Sequence, residues 1–215
     1  MRKKLFIFDL DGVIVDTAKY HFLAWKNIAT ELDIDFTIEQ NELLKGVNRE
    51  NSLLKILEFE KKSIDISLFN SLLIKKNNIY LRYVEKINSN DIIDGIRNSI
   101  DFIKKNKHYL ALGSASKNAQ MILRKLELFE CFDIIIDGTI TENAKPDPEV
   151  FLRSMHRLKV KPKDCIVFED SISGITAANT AGMISIGIGN KDILFKATHN
   201  FSKFNLITNQ FLSHL

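Results

Sequence analysis

The amino-acid sequence predicts a doubly wound α/β fold with a parallel sheet, into which an α-helical cap domain is inserted. Short apolar runs without polar alternation alternate with segments of helical periodicity, which is typical of parallel strands buried on both faces. One long stretch between the first two apolar runs shows helical periodicity alone. That stretch indicates a second unit rather than a simple crossover, because a crossover needs only one helix.

Five apolar runs predict the strands of the core. The first is residues 4–9, and the others are residues 109–113, 132–136, 165–168 and 183–187. Helical periodicity fills the intervals between the later strands, at residues 118–128, 148–158 and 171–181. This alternation favours a Rossmann-like sheet. The tail after about residue 190 is expected to hold a final strand or helix, and its pattern does not decide which.

The inserted stretch predicts an all-helical cap. Helices are expected at about residues 21–32, 51–59 and 68–87. We therefore predict a core domain of residues 1–16 and 89–215 and a cap domain of residues 17–88. In open α/β sheets, ligands bind at the carboxyl ends of the strands, so the cap is expected to cover that edge.

Composition excludes several classes of function. The 30 Lys+Arg and 27 Asp+Glu residues are interspersed, and the formal charge of +3 predicts no nucleic-acid partner. No apolar run approaches the roughly 18 residues of a membrane span, and the apolar run after the basic start is too short for a signal peptide. Two cysteines and 5 scattered histidines predict neither a disulfide framework nor a zinc site. We expect a cytoplasmic monomer that has no membrane partner.

Two pairs of carboxylates follow predicted strands. Asp9 and Asp11 end the first strand and, in extended backbone, would face the same side. Glu169 and Asp170 end the fourth. A turn at Asp11 or a helix cap at Asp170 would explain one acid of each pair, but not both. If the first and fourth strands are neighbours, up to four carboxylates converge and need a cation, for which oxygen ligands favour Mg²⁺.

Groups that could bind anions follow the second strand and lie in the cap. Lys145 is either solvated or a buried balance to the carboxylates. A predicted helix start after the second strand offers hydroxyls, N–H groups and a lysine to an anion. Its residues are Ser114, Ala115, Ser116, Lys117 and Asn118. The alternative is that a serine here only caps the helix. In the cap, His21 and Trp25 share a helix face and could contact substrate or simply pack in the core. The run Lys45, Gly46, Val47 and Arg49 could bind a phosphate or be only a loop after a helix. Lys76 could bind substrate or lie on a solvated helix face.

These motifs resemble those of a known superfamily in order and spacing. The four motifs of the haloacid dehalogenase superfamily are matched around Asp9, Ser114, Lys145 and Glu169. Within it, the runs at residues 21–25, 44–50 and 114–118 resemble those of the β-phosphoglucomutases. Two departures are Asn48, where a serine is usual, and Asp94, which precedes a glycine where proline is usual.

The resemblance implies a role for each matched residue at the transferring phosphate. Asp9 would be the nucleophile and Asp11 the general acid and base. Ser114 and Lys145 would stabilise charge on the phosphoryl group. Mg²⁺ would be held by the side chains of Asp9, Glu169 and Asp170 and by the backbone carbonyl of Asp11.

The resemblance also implies two phosphate subsites and a substrate. Arg49, Ser116, Lys117 and Asn118 would hold the distal phosphate, and His21 and Lys76 would sense the sugar. The remaining substrate contacts would come from Trp25, Lys45, Gly46, Val47 and Ala115. The implied reaction converts β-D-glucose 1-phosphate to D-glucose 6-phosphate through an aspartyl-phosphate and β-glucose 1,6-bisphosphate. A Mg²⁺-dependent sugar-phosphate phosphatase of the same fold is the alternative, because the four core motifs are shared.

Overall fold

A parallel sheet forms the centre of the molecule. The computed structural model describes residues 3–215, so Met1 and Arg2, which the sequence assigns to the core, lie outside the described residues. In the described chain, six strands are arranged in the order β3-β2-β1-β4-β5-β6. They are β1 (Leu5–Phe8), β2 (Tyr109–Gly113), β3 (Ile134–Ile136), β4 (Cys165–Glu169), β5 (Ile184–Ile188) and β6 (His199–Phe201). The order is that of a doubly wound sheet, so the predicted fold class is confirmed.

The first strand is buried on both faces, which explains its lack of alternation. All four residues of β1 have no exposed surface. Phe6 and Phe8 pack into one apolar cluster, whereas Leu5 and Ile7 pack into a second cluster on the opposite face. β1 pairs with β2 on one side and with β4 on the other, with Phe8 opposite Phe168. The first and fourth predicted strands are therefore neighbours, as the carboxylate hypothesis required.

Helices of the core flank the sheet. They are α5 (Ile96–Lys105), α6 (Ala119–Lys125), α7 (Glu149–Leu158), α8 (Ile172–Thr180) and α9 (Asn209–His214). Short 3₁₀ turns lie at Ser89–Asp91, Phe129–Cys131, Pro162–Asp164 and Phe204–Leu206. None of the helices among residues 3–215 is long and apolar enough to cross a membrane.

Four of the helices between β1 and β2 build the cap. They are α1 (Ala18–Glu31), α2 (Ile38–Glu42), α3 (Arg49–Phe59) and α4 (Ile66–Val84). Their apolar faces enclose a cluster of their own around Trp25, Phe36 and Leu53. α1 and α4 also reach the core cluster through Ala24 and Tyr80. We propose that residues 17–88 are the cap domain, on the support of this separate cluster.

Four elements were missed or left open by the sequence prediction, namely two helices and the two elements of the tail. Helix α2 begins with a capping box, in which Thr37 and Gln40 bond each other's backbone N–H, and helix α5 buries Ile96, Ile100 and Ile103. The tail holds both a strand and a helix. Its strand β6 carries only three residues, which are exposed or partly exposed, so it has no buried apolar run to mark it.

Candidate active site

A cleft lies between the cap and the carboxyl edge of the sheet. It encloses about 850 Å³, including the part open to solvent. Every residue that the sequence proposed for substrate binding lines it. Lys145 and Glu169 lie beneath, buried. The cleft is also lined by residues that the sequence did not single out, namely Ala18, Asn41, Leu44, Ser52 and Asn77.

Three carboxylates converge at the floor of the cleft. One oxygen each of Asp9, Glu169 and Asp170 lie within 4.8 Å of one another. The pairing of β1 with β4 brings them together, because the backbone N–H of Asp9 donates to the carbonyl of Phe168 at 3.0 Å. Carboxylate oxygens so close together repel one another unless a cation or protons lie between them. This donor set of hard oxygens suits a divalent ion such as Mg²⁺.

Burial and mutual repulsion shift the pKa of two of these acids. Burial raises the pKa of Asp9 well above its usual value; the Lys145 charge opposes this, and the Glu169, Asp11 and Asp170 charges add to it. Burial also raises the pKa of Asp170 to about 7, against the opposing charge of Lys45. A bound cation would relieve both effects.

Lys145 lies buried beside two of the carboxylates. Its Nζ is 2.6 Å from Asp9 Oδ1 and 2.5 Å from Glu169 Oε1, and it donates to the carbonyl of Gly113 at 3.0 Å. Burial alone would lower the pKa of the ammonium, but Asp9 and Glu169 raise it above the ordinary value. Lys145 therefore stays charged. Its solvated alternative is excluded by this geometry.

Glu169 is held by the start of helix α8. The backbone N–H of Ser171 donates to Glu169 Oε2 at 3.1 Å, and the Ser171 hydroxyl donates at 2.7 Å. The same hydroxyl accepts from the N–H of Gly174 and caps the helix. A side chain at Gly174 would run into the Glu169 carboxylate, so glycine is required there for close approach. Capping and the carboxylate cluster thus use neighbouring residues rather than competing for one.

Asp11 faces the cap instead of the three carboxylates. Its Oδ1 accepts from the Thr17 hydroxyl and lies 3.4 Å from Tyr80 Oη and 3.6 Å from His21 Nε2. The expectation that both aspartates of the first motif aim at one spot is wrong for the side chains, because the chain leaves the extended form after Asp9 in a turn closed by Ile14 N–H on the carbonyl of Leu10. Three carboxylates converge, not four.

The pKa of Asp11 is lowered. Burial would raise the pKa of Asp11, but His21 and the Thr17 hydrogen bond outweigh burial and hold it below the usual value. A proton donor or acceptor with its own partners, separate from the carboxylate cluster, thus lies at the mouth of the first strand.

Lys76 is buried under the cap. Its Nζ lies 2.8 Å from His21 Nδ1 and 4.8 and 4.9 Å from the ring centres of Trp25 and Tyr80. Burial, aided by the charge of Arg49, lowers the pKa of Lys76 to about 7. Burial and Lys76 likewise lower the pKa of His21. The solvated-face alternative holds for the neighbouring Lys75, which is exposed and pairs with Glu31 at 2.7 Å, but not for Lys76.

The loop after β2 is built by its own hydroxyls. The N–H of Ser116 donates to Ser114 Oγ at 3.1 Å, and the N–H of Asn118 donates to Ser116 Oγ at 3.2 Å. Neither serine caps the following helix α6, which has no side-chain cap. Lys117 reaches across to the cap, where its Nζ lies 3.3 Å from Glu50 Oε1. The plain-capping alternative for these serines is therefore wrong.

A loop of the cap touches the core near the carboxylates. Lys45 Nζ is 3.4 Å from Asp170 Oδ2, and the Ser173 hydroxyl donates to the carbonyl of Lys45 at 2.8 Å. Gly46 has φ +71°, and a side chain there would strike the hydroxyls of Ser171 and Ser173. The glycine therefore permits close contact between cap and core in addition to turning the chain.

Asn77 is the clearest residue that the sequence did not single out. Its Oδ1 accepts from Arg49 Nη2 at 2.7 Å and from Asn118 Nδ2 at 3.0 Å. The only sequence signal was an asparagine in the middle of a helix, where its helix propensity is poor.

Comparison with known proteins agrees with this geometry. Residues 3–182 match the family described as haloacid dehalogenase-like hydrolase. The chain is 43% identical to the β-phosphoglucomutase of Bacillus subtilis over 86% of its own length and 83% of that protein. It is 31% identical to the phosphorylated carbohydrates phosphatase of Thermotoga maritima over 82% of its own length and 81% of that protein.

A solved structure gives the same result. The crystal structure of a β-phosphoglucomutase from Clostridium difficile superposes with a TM-score of 0.95 at 41% identity, covering 99% of this chain and 96% of that chain. The chain therefore belongs to the haloacid dehalogenase-like hydrolase family, in the branch that contains the β-phosphoglucomutases.

Proposed function

We propose that the protein is a phosphomutase that converts β-D-glucose 1-phosphate to D-glucose 6-phosphate through an aspartyl-phosphate enzyme and a β-glucose 1,6-bisphosphate intermediate. The observation that carries the proposal is that one cleft holds groups for two phosphates. It is lined by Asp9 with its carboxylate cluster and by a second set of groups whose N–H donors could hold a phosphate, namely Arg49, Lys117 and Asn118. A bisphosphate needs both sets. The similarity to the two β-phosphoglucomutases supports the sugar and its anomer.

Asp9 is the nucleophile of this proposal. A carboxylate oxygen attacks phosphorus, and the phosphoryl group leaves the sugar oxygen for Asp9. The charge of Lys145, 2.6 Å away, favours the ionised form of Asp9 and lies where charge on the phosphoryl oxygens would develop. The hydroxyl of the buried Ser114 is proposed to donate to the same phosphoryl oxygens.

The acidic cluster is the proposed Mg²⁺ site. Asp9, Glu169 and Asp170 fit a hard divalent ion by their donor atoms and their spacing. We add the backbone carbonyl of Asp11 as a further ligand. When bound, the ion would neutralise charge on the transferring phosphoryl group.

Asp11 is the proposed general acid and base. When the phosphoryl group passes from Asp9 to the sugar, Asp11 removes the proton from the attacking sugar hydroxyl; when a phosphoryl group of the bisphosphate returns to Asp9, Asp11 gives that proton to the leaving sugar oxygen. Its lowered pKa suits the accepting role, and its contacts with Thr17, His21 and Tyr80 hold it apart from the Asp9 cluster. Three of these partners come from the cap, so cap closure and the position of Asp11 are coupled.

Transfer to sugar rather than to water requires that the closed cap exclude solvent. The contacts of Lys45 with Asp170 and Ser173, and of Lys117 with Glu50, close the cap onto the core. The phosphatase named from Thermotoga maritima supports the alternative of hydrolysis. An assay that measures both glucose 6-phosphate and inorganic phosphate separates the two reactions.

The test is a coupled assay for glucose 6-phosphate with Mg²⁺ and the bisphosphate primer. We expect conversion of the β anomer of glucose 1-phosphate and not of the α anomer. Release of inorganic phosphate without glucose 6-phosphate would support the phosphatase instead.

The nucleophile is tested by trapping. We expect the wild-type protein to carry an acid-stable, base-labile phosphate that Asp9→Asn lacks. Asp16→Asn is the matched control, because Asp16 lies on the same segment, is exposed and pairs with the nearby Lys19 at 3.5 Å. A base-labile phosphate that survives in Asp9→Asn would refute the assignment.

A further inference from the structure

Asn77 joins the cap to the core at the end of the cleft where the second phosphate is proposed to bind. It lies on α4 of the cap and lines the cleft. Its single side-chain oxygen accepts from Arg49, which begins α3 of the cap, and from Asn118, which ends the loop after β2 of the core. These are two of the groups proposed to hold the distal phosphate. One oxygen therefore connects two donors that come from separate parts of the chain.

We propose that Asn77 is a positioning residue that aligns Arg49 and Asn118 for the distal phosphate and links binding of that phosphate to cap closure. The inference rests on the proposed function, because that function requires a second phosphate subsite. Asn77 acts through its two neighbours and need not touch the substrate. The bond to Asn77 uses one of the five N–H groups of the Arg49 guanidinium and leaves the others for a ligand.

The chemistry of an amide suits this position. A carboxylate would neutralise Arg49 and repel a phosphate, whereas the amide oxygen orients the guanidinium and leaves its charge for the ligand. Arg49 is also partly desolvated, and burial lowers the pKa of its guanidinium. A desolvated cation bound to a neutral acceptor is prepared for an anion. In the same way, the amide of Asn118 is fixed by its bond to Asn77 at 3.0 Å.

The link to closure follows from where the partners lie. The Arg49 bond is within the cap and persists when the cap moves, whereas the Asn118 bond crosses to the core and breaks when the cap opens. One further contact crosses nearby, between Lys117 and Glu50. Asn77 thus makes the distal site complete only when the cap is closed.

The test compares Asn77→Leu with Asn78→Leu in the full-length protein with Mg²⁺. Leucine has the same branched shape and number of side-chain heavy atoms as asparagine but accepts no hydrogen bond, and Asn78 is the exposed next residue on the same helix. Calorimetric titration with D-glucose 6-phosphate should give a Kd about 10- to 100-fold higher for Asn77→Leu, the usual effect of losing hydrogen bonds to a charged group. Asn78→Leu should stay within about twofold of the wild type.

A second readout separates positioning from a general loss of structure. Acetyl phosphate has no sugar and no second phosphate, so the rate at which it phosphorylates Asp9 should stay within about twofold in Asn77→Leu. If Asn77→Leu does not fold, Asn77→Ala removes the same acceptor and is subject to the same expectations. A double variant with Asn118→Ala should raise the Kd by less than the product of the two single effects, because both act through one bond.

Two results would overturn the proposal. One is a Kd for Asn77→Leu equal to that of Asn78→Leu, and the other is a loss of phosphorylation by acetyl phosphate as large as the loss of binding. Failure of the proposed function looks different. A wild-type protein that binds glucose 6-phosphate but does not form it from β-glucose 1-phosphate would refute the mutase, and the binding comparison at Asn77 would still stand.

Discussion

Replacing Lys76 with methionine should change how stability depends on pH. The ammonium of Lys76 is buried between the rings of Trp25 and Tyr80, beside His21 and near Arg49 and the carboxylate of Asp11. Methionine keeps the apolar chain in the same space and removes only the titrating group. The two proteins therefore differ mainly in one buried, ionisable nitrogen.

The change in the free energy of unfolding follows from the shift in the pKa of Lys76. The pKa of Lys76 falls from 10.5 to about 7 in the folded protein. Between these values the unfolded chain binds the proton and the folded chain does not, so the unfolded state binds more protons and the free energy of unfolding rises with pH. One proton gives a slope of about 1.4 kcal/mol per pH unit, and the full window gives about 5 kcal/mol.

Urea denaturation of both proteins at several pH values measures this slope. Over two pH units within the window, the wild type should gain about 3 kcal/mol relative to Lys76→Met. Below about pH 7 the difference should become constant, because both states of the wild type are then protonated. Two curves that run parallel over the whole window would show that Lys76 does not titrate with this lowered pKa.

The matched control is Lys75→Met. Its ammonium is in contact with solvent and pairs with Glu31 on the cap surface. This variant should shift the free energy of unfolding by a small, nearly constant amount, because exposed ion pairs contribute roughly 1 kcal/mol or less. A slope as large as that of Lys76→Met would show that burial is not the cause.

Three further predictions concern the carboxylate cluster. Lys145→Met should destabilise the protein by about 3–5 kcal/mol at neutral pH, because Asp9 and Glu169 lose a buried partner, and Mg²⁺ should restore part of the loss in urea denaturation. Gly174→Ala should cost about 1–3 kcal/mol and weaken Mg²⁺ binding in a calorimetric titration, because the new methyl group displaces Glu169. Mg²⁺ at about 100 times its Kd should stabilise the wild type by about 2.7 kcal/mol, and much less in Asp170→Asn.

Each of these has a control and a contrary result. Lys163 is exposed, so Lys163→Met should change the free energy of unfolding very little. An equal loss of stability in Lys163→Met and Lys145→Met would contradict the buried pairing of Lys145. Thr176→Ala lies on the same helix as Gly174 and should keep full affinity for Mg²⁺. Asp192→Asn is exposed and should keep the full stabilisation by Mg²⁺.

The affinity for the cation should also depend on pH. Because the pKa of Asp170 is raised to about 7, protons compete with Mg²⁺ below that pH, and the Kd should rise as pH falls. An affinity that is constant from pH 8 to about 6 would count against Asp170 as a ligand.

The carboxylate cluster could be anticipated from the sequence because backbone pairing alone determines it. Asp9 and Glu169 each follow an apolar run, and neighbouring parallel strands end at one edge. The direction of the Asp11 side chain could not be anticipated, since it depends on a turn and on Thr17, His21 and Tyr80 from the cap. Sequence separation hides such partners.

The same limit applies to buried cations and to the tail. Lys75 and Lys76 look alike in sequence, and only the packing of α1 against α4 buries one and exposes the other. Asn77 was overlooked because its two partners come from other elements. Strand β6 pairs with β5 through backbone bonds while its own side chains remain largely exposed, so no hydrophobic pattern reveals it.

Asp9 is proposed to pass its phosphoryl group to a sugar hydroxyl and not to water. Time-resolved ³¹P NMR of the wild-type protein with Mg²⁺, β-glucose 1-phosphate and the bisphosphate primer measures this partition directly. We predict that the phosphorus signal of the substrate moves to glucose 6-phosphate, with inorganic phosphate a small fraction of the product. A signal that moves mainly to inorganic phosphate would show that water accepts the phosphoryl group and would make the protein a phosphatase.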